Sequence, residues 1–107
     1  MIETTLGLSA LDEICAVPGL AGVYVGPADL AISLGYAPAQ AWTEPTVRDA
    51  MARIQAGVSA AGLVVGIHAG TGTNGKAMAG LGFRMITLTS ESQALRRGAR
   101  YRTRLLR

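Results

Sequence analysis

"GLVVGIHAGTGTNGKAMAGL", residues 62–81, decides the fold. Leu63 to Ala69 is a near-continuous apolar run of strand length, the kind that is buried on both faces of a parallel sheet. A Gly-rich turn follows, and "NGKAMAGL" (74–81) reads as a short helix stopped at Gly82. One strand, one tight reversal and one helix make a β/α unit. The same unit recurs outward in both directions. Downstream, "RMITLT" (84–89) is a second buried strand, and Ser90 with Gln93 forms an S-x-x-Q capping box that opens a helix running to the C-terminus. Upstream, a helix from about Glu44 to Ala61 has Pro45 in its first turn and an apolar stripe at Val47, Met51, Ile54 and Val58. Before a loop at 36–45, "GPADLAISLGY" turns at Gly26–Pro27 and makes a short helix that stops near Gly35. "GVYV" (22–25) is a short strand. Ser9 is placed to cap a helix over 9–17, which Pro18–Gly19 ends. "MIET" (1–4) reads as the tail of a strand. Strand and helix alternate four times, which implies an α/β chain with a parallel sheet and no internal linker.

Composition bounds the rest. A chain of 107 residues suffices for one small domain, and a composition 50% hydrophobic and 16% charged with 14 glycines describes a globular, turn-rich protein. No apolar run approaches the roughly 18 residues of a membrane span, and "MIETTLGL" has no signal-peptide pattern. The lone Cys15 excludes an internal disulfide and fits a reducing cytoplasm. The net charge of +3 is concentrated at one end: Arg96, Arg97, Arg100, Arg102, Arg104 and Arg107 account for six of the nine arginines. A terminal helix, solvated or facing a subunit, explains them. Nucleic-acid binding calls for a basic face interleaved with aromatics, and only Tyr101 is present there.

The turn also spells two nucleotide-binding signatures. Gly70, Gly72 and Gly75 fit G-x-G-x-x-G, and Gly70 to Lys76 fit G-x-x-x-x-G-K. Ala77 stands where a phosphate loop needs a Ser or Thr hydroxyl. The dinucleotide version needs an acid about 20 residues on; Glu91 is nearby, but the capping box already accounts for it. The preceding strand is also the third of four, not the first. The glycines are therefore read as those of a tight strand-to-helix reversal.

Two acids stand at strand ends: Glu3 after Ile2, and Asp29 after "VYVGPA". In parallel α/β structures, loops converge on the C-terminal ends of the strands, and chemistry collects there. Two such carboxylates suit one hard divalent cation; alternatively Asp29 is helix-start chemistry and Glu3 is merely exposed. His68 ends a later strand, where it either lines a pocket or packs structurally.

"MIETTLGLSALDEICAVPGLAGVYVGPADLAISLGY" resembles the central signature of the HpcH/HpaI aldolase family, and the likeness runs on through "GIHAG" and "GLGFRMITLTSESQAL". The paired blocks "IET" and "GPADL" carry it. The resemblance implies a (β/α)8 barrel, a fold of about 250 residues, so this chain corresponds to the C-terminal half, about four β/α units. It implies a class II pyruvate aldolase that reversibly cleaves a 4-hydroxy-2-oxo acid to pyruvate and an aldehyde. In such an enzyme a divalent cation (Mg2+, Mn2+ or Co2+) chelates pyruvate and stabilises its enolate. By the same resemblance, Glu3 and Asp29 match the two metal-binding carboxylates. Ala28 offers a backbone N–H to the pyruvate carboxylate, beside Gly26. Met1 falls where some members carry a substrate-contacting Gln, which a thioether cannot replace.

The family's His base and Arg clamp have no counterpart here. His68 is not at the base position, and no Arg matches the clamp. The expected result is weak metal binding with little or no turnover by residues 1–107, and a homo-oligomer, because half a barrel has open edges. A citrate-lyase β-subunit-like or malyl-CoA-lyase-like member, and a non-catalytic interaction remnant, are the alternatives.

Overall fold

The computed structural model describes residues 1–106; Arg107 lies outside the described residues. The chain runs through α1 (Thr5–Ser9), α2 (Leu11–Cys15), β1 (Gly22–Val25) and α3 (Pro27–Ser33). A 3-10 turn (Pro38–Trp42), α4 (Pro45–Ala60), β2 (Val64–His68), α5 (Gly72–Gly80), β3 (Met85–Thr87) and α6 (Glu91–Leu105) follow. The three strands form one parallel sheet in the order β1–β2–β3.

The expected strand at "MIET" is reduced to one bridge, in which Ile2 pairs in parallel with Val25. The Ile2 N–H donates to the Tyr24 carbonyl at 2.8 Å, and the Gly26 N–H donates to the Ile2 carbonyl at 3.3 Å. Pairing stops there because Thr4 turns the chain into α1, its Oγ1 accepting from the Gly7 N–H at 3.0 Å. Thr4, not Ser9, is thus the first helix cap. Ser9 lies in the last turn of α1, where its hydroxyl donates to the Leu6 carbonyl, and a second short helix starts after Ala10.

Two further boundaries differ in detail. The loop at 36–45 contains the 3-10 turn, with Gln40 Oε1 accepting from the Ala37 N–H at 2.8 Å. The helix expected from Asn74 begins two residues earlier, because the Thr71 hydroxyl caps the Asn74 N–H at 3.1 Å. The capping box at α6 forms as its residues require, with Ser90 and Gln93 each satisfying the other's backbone N–H.

Register divides the sheet into two faces. Val23, Val25, Val65 and Ile67 point to one side and are buried there with Met51, Ile54 and Val58 of α4, joined by Ile2, Leu11, Leu30, Met78 and Phe83. The stripe read from α4 is therefore the stripe that packs. The other face carries Gly22, Tyr24, Val64, Gly66, His68, Met85 and Thr87. No helix among the described residues covers it, and Val64 and Met85 remain 50% and 53% exposed. α6 buries none of its described side chains, so its arginines sit on an exposed helix.

Candidate functional site

The C-terminal ends of β1 and β2 and the bridge at Ile2 bring the sequence-derived residues to one edge of the open face. Alternation along the chain puts Ile2 into the core and leaves its neighbours, Met1 and Glu3, on the other side. Glu3 lies directly on Gly26: a Cβ built on Gly26 would come 2.8 Å from Glu3 Oε2 and 3.7 Å from Met1 Sδ. Any side chain at this turn would displace the carboxylate. Gly26 is the N-cap of α3, with Pro27, Ala28 and Asp29 as its first three residues. Pro27 has no N–H to satisfy, and Gly26 offers no capping side chain, so the Ala28 and Asp29 N–H groups are uncapped at the start of the helix. Ala28 and Asp29 are exposed; Glu3 and Gly26 are half-buried.

The structure thus brings Met1, Glu3, Gly26, Ala28 and Asp29 together around one turn. Among the described residues, no set of three or more His, Cys, Asp and Glu side chains converges on a metal-sized site. Glu3 and Asp29 are the two carboxylates that flank this turn, Glu3 against Gly26 and Asp29 in the first turn of α3. Continuing the β1–β2 register by one residue sets His68 beside Gly26, so His68 faces the same end of the open sheet, half-buried. Cys15 is away from this edge, on α2. Partial burial, reinforced by the Asp12 carboxylate, raises its thiol above the usual range.

The Gly-rich turn beside the site has two local reasons, backbone conformation and packing. Gly70 has φ +76°, a backbone conformation that suits glycine. Gly75 meets the Leu88 side chain where a Cβ would stand, which lets α5 lie close on β3. A surface groove of about 370 Å³, bordered by Trp42, Arg48, Met51 and Met78, lies in the helical layer, away from these carboxylates.

The sequence pattern of the HpcH/HpaI aldolase/citrate lyase family matches residues 1–97. The chain belongs to this family. A hydroxypyruvate/pyruvate aldolase of Rhizorhabdus wittichii is 39% identical over 100 residues, which cover 94% of this chain and 40% of that protein. A 4-hydroxy-2-oxovalerate aldolase of Rhodococcus jostii is 40% identical over 68 residues, 62% of this chain and 26% of that protein. The crystal structure of a family member from Burkholderia cenocepacia superposes with a TM-score of 0.89 at 35% identity, covering 98% of this chain and 40% of that one. The chain therefore spans about two fifths of the length of such relatives, and its fold is part of their barrel. The uncovered face of the sheet, with Tyr24, His68, Met85 and Thr87, is the face that a barrel turns inward.

Sequence reasoning missed Thr87 and Tyr24. Tyr24 Oη donates a 3.0 Å hydrogen bond to Thr87 Oγ1 across the sheet, from β1 to β3. The period of two marks both as inward residues of their strands, but only the register shows that they meet.

Proposed function

We propose that this chain carries the metal- and 2-oxo-acid-binding part of a metal-dependent aldolase, a carbon–carbon lyase that reversibly cleaves a 4-hydroxy-2-oxo acid to pyruvate and an aldehyde. One observation carries this reading: the Glu3 carboxylate rests on Gly26, at the start of the helix that bears Asp29. Magnesium is commonly held by one or two protein carboxylates, with substrate and water completing its shell, and this donor set fits that habit. Glu3 and Asp29 would hold Mg2+, Mn2+ or Co2+. A divalent cation held there would polarise a keto oxygen and offset the negative charge that develops on it.

The chain's own groups bind and orient the acid. The uncapped Ala28 N–H, at the positive end of α3, donates to the substrate carboxylate. Gly26 leaves the room in which that carboxylate approaches the backbone. Met1 borders the turn as an apolar wall. The names of the Rhizorhabdus and Rhodococcus relatives support cleavage chemistry on small oxo acids. The proton-transfer base and the Arg clamp belong, in this reading, to the part of the barrel that this chain does not span. The complete enzyme is cytoplasmic and homo-oligomeric on the same reading; no helix among the described residues is long and apolar enough to cross a membrane.

Calorimetric titration of the 107-residue chain with Mn2+ tests the carboxylates. Weak binding is expected, falling at least about tenfold, or about 1.4 kcal/mol, in Glu3→Gln and in Asp29→Asn. A chain blind to Mn2+, or variants that bind like the parent, would overturn the site. Pyruvate release from a 4-hydroxy-2-oxo acid is expected to be negligible. Robust release abolished by Glu3→Ala would overturn the need for the rest of the barrel.

A further inference from the structure

The open face holds a polar arrangement that the carboxylate pair does not use. The Tyr24 phenol must cross β2 to reach Thr87, because β2 lies between β1 and β3. It crosses at Gly66, where a Cβ would come 3.0 Å from Tyr24 Cδ2 and 3.0 Å from Met85 Cε. The glycine is what admits the ring. Above this layer, toward the strand C-termini, His68 pairs with Thr87 and stands beside Gly26. The site end of the sheet thus reads Glu3 on Gly26, then His68, then Thr87. Two strand spacings put Thr87 about 10 Å from Gly26. On the other side of the Tyr24 ring, toward the strand N-termini, lies an apolar depression of about 320 Å³ bordered by Gly22, Val64, Gly66 and Met85. The ring is therefore a floor between that depression and the site end.

The hydrogen bond fixes which atom of Thr87 is free. A hydroxyl has one proton and two acceptor sites. Tyr24 supplies the proton between the two oxygens, so Thr87 keeps its own proton to donate elsewhere. Both residues are half-buried, and Thr87 lies two strands away from the Gly26 turn on the open face.

We propose that Thr87 reads the distal end of the substrate, donating a hydrogen bond to an oxygen on the aldehyde-derived half of the oxo acid, with Tyr24 as its positioning residue. This rests on the proposed binding of the acid's carboxylate end at Glu3, Ala28 and Asp29. An acid of five or six carbons anchored at the Gly26 turn reaches across β2 past His68; a three-carbon acid does not. A site built to donate to a substrate oxygen disfavours the analogue without it, because the donor loses its partner on binding. The arrangement thus selects hydroxylated aldehydes over alkyl ones.

The test compares 2-oxopentanoate with 5-hydroxy-2-oxopentanoate, each titrated into the Mn2+-loaded 107-residue chain and followed by water-proton relaxation. The hydroxylated acid is expected to bind roughly 3–10-fold more tightly. Thr87→Val should remove that preference, Thr87→Ser should keep it, and Tyr24→Phe should narrow it, with Mn2+ affinity unchanged in all three. Tyr24→Phe breaks the same hydrogen bond from the other end, so the result stands even if the Val variant does not fold. A preference that survives both Thr87→Val and Tyr24→Phe, or two acids bound equally by the parent chain, overturns the assignment of Thr87. A parent chain that binds neither Mn2+ nor either acid overturns the underlying function instead.

Discussion

Glu3 and Gly26 are in contact in a way that only glycine allows: a Cβ on residue 26 would lie 2.8 Å from Glu3 Oε2 and 3.2 Å from Glu3 Cβ. The backbone at Gly26, with φ −103° and ψ 92°, is open to alanine, so the constraint is space and not conformation. Gly26→Ala should therefore leave the unfolding free energy from urea denaturation within about 1 kcal/mol of the parent. Mn2+ affinity should fall about tenfold, because Glu3 must move as a whole and not only at its flexible end. Unchanged Mn2+ affinity in a folded Gly26→Ala chain would show that the Glu3 position is not the one that matters.

The parts of this architecture that were legible in the sequence are those settled by local rules. The stripe of Val47, Met51, Ile54 and Val58 repeats at helical spacing, and all four are buried. Ser90 and Gln93 are three residues apart and satisfy each other. The choice between Thr4 and Ser9 as a cap was not local. Both offer a hydroxyl at a plausible place, and the pairing of Ile2 with Val25 decides between them. The Tyr24–Thr87 bond joins residues 63 apart and exists only because Gly66 stands between them in register. Glu3 and Asp29 were readable as strand-end acids, whereas the contact of Glu3 with Gly26 emerges only when the bridge brings them side by side.

Ile54 has no exposed surface and sits where α4 meets the sheet. Truncation at a buried Ile removes transfer energy and leaves a cavity, together about 2–5 kcal/mol. A domain of this size has about 5–15 kcal/mol of stability in total, and here one face of the sheet is uncovered. Ile54→Ala should therefore shift the urea midpoint drastically or abolish the cooperative transition. Ile32→Ala, at a residue 54% exposed, should stay within about 0.5 kcal/mol. Equal effects at the two sites would mean that α4 does not pack as described.

Cys15 gives a pH-dependent handle. Burial first, and then the Asp12 carboxylate, raise its thiol above the ordinary 9.0. A folded-state value raised above the unfolded one means that the thiolate is disfavoured in the fold. The associated stability is present below the unfolded value and is lost as pH rises through it toward the folded one. Alkylation by iodoacetamide at mildly alkaline pH should thus be slower in the folded chain than in urea, and Asp12→Asn should speed it. Faster alkylation in the folded chain would contradict the direction of the shift.

The α6 capping box should act locally. Ser90→Ala removes the acceptor for the Gln93 N–H, a loss of about 0.5–2 kcal/mol to helix formation. Because α6 buries none of its described side chains, this loss has little packing through which to reach the sheet. Amide exchange at residues 91–96 should accelerate several-fold while β1 and β2 amides keep their protection. A matching loss of protection in the strands would show that α6 supports the core.

Gly70 and Gly75 belong to the same Gly-rich turn, and their substitution separates its two physical reasons. Alanine at Gly70 meets nothing nearer than His68 Nε2 at 3.9 Å, but must take φ +76°, at a cost of about 1–2 kcal/mol. Alanine at Gly75 has ordinary helical backbone and gains about 1 kcal/mol of helix propensity. Its Cβ presses on the far end of Leu88, a side chain that is 49% exposed, so a change of Leu88 rotamer can relieve the contact. The two terms largely cancel, so Gly75→Ala should lie within about 1 kcal/mol of the parent. Urea denaturation of the pair should rank Gly70→Ala as the more damaging change. The reverse order would make close packing of α5 on β3, and not the backbone turn after β2, the reason for this run of glycines. Neither variant should alter ATP binding, because the turn is expected to bind none; calorimetric heat from ATP that is lost in Gly70→Ala would restore the phosphate-loop reading.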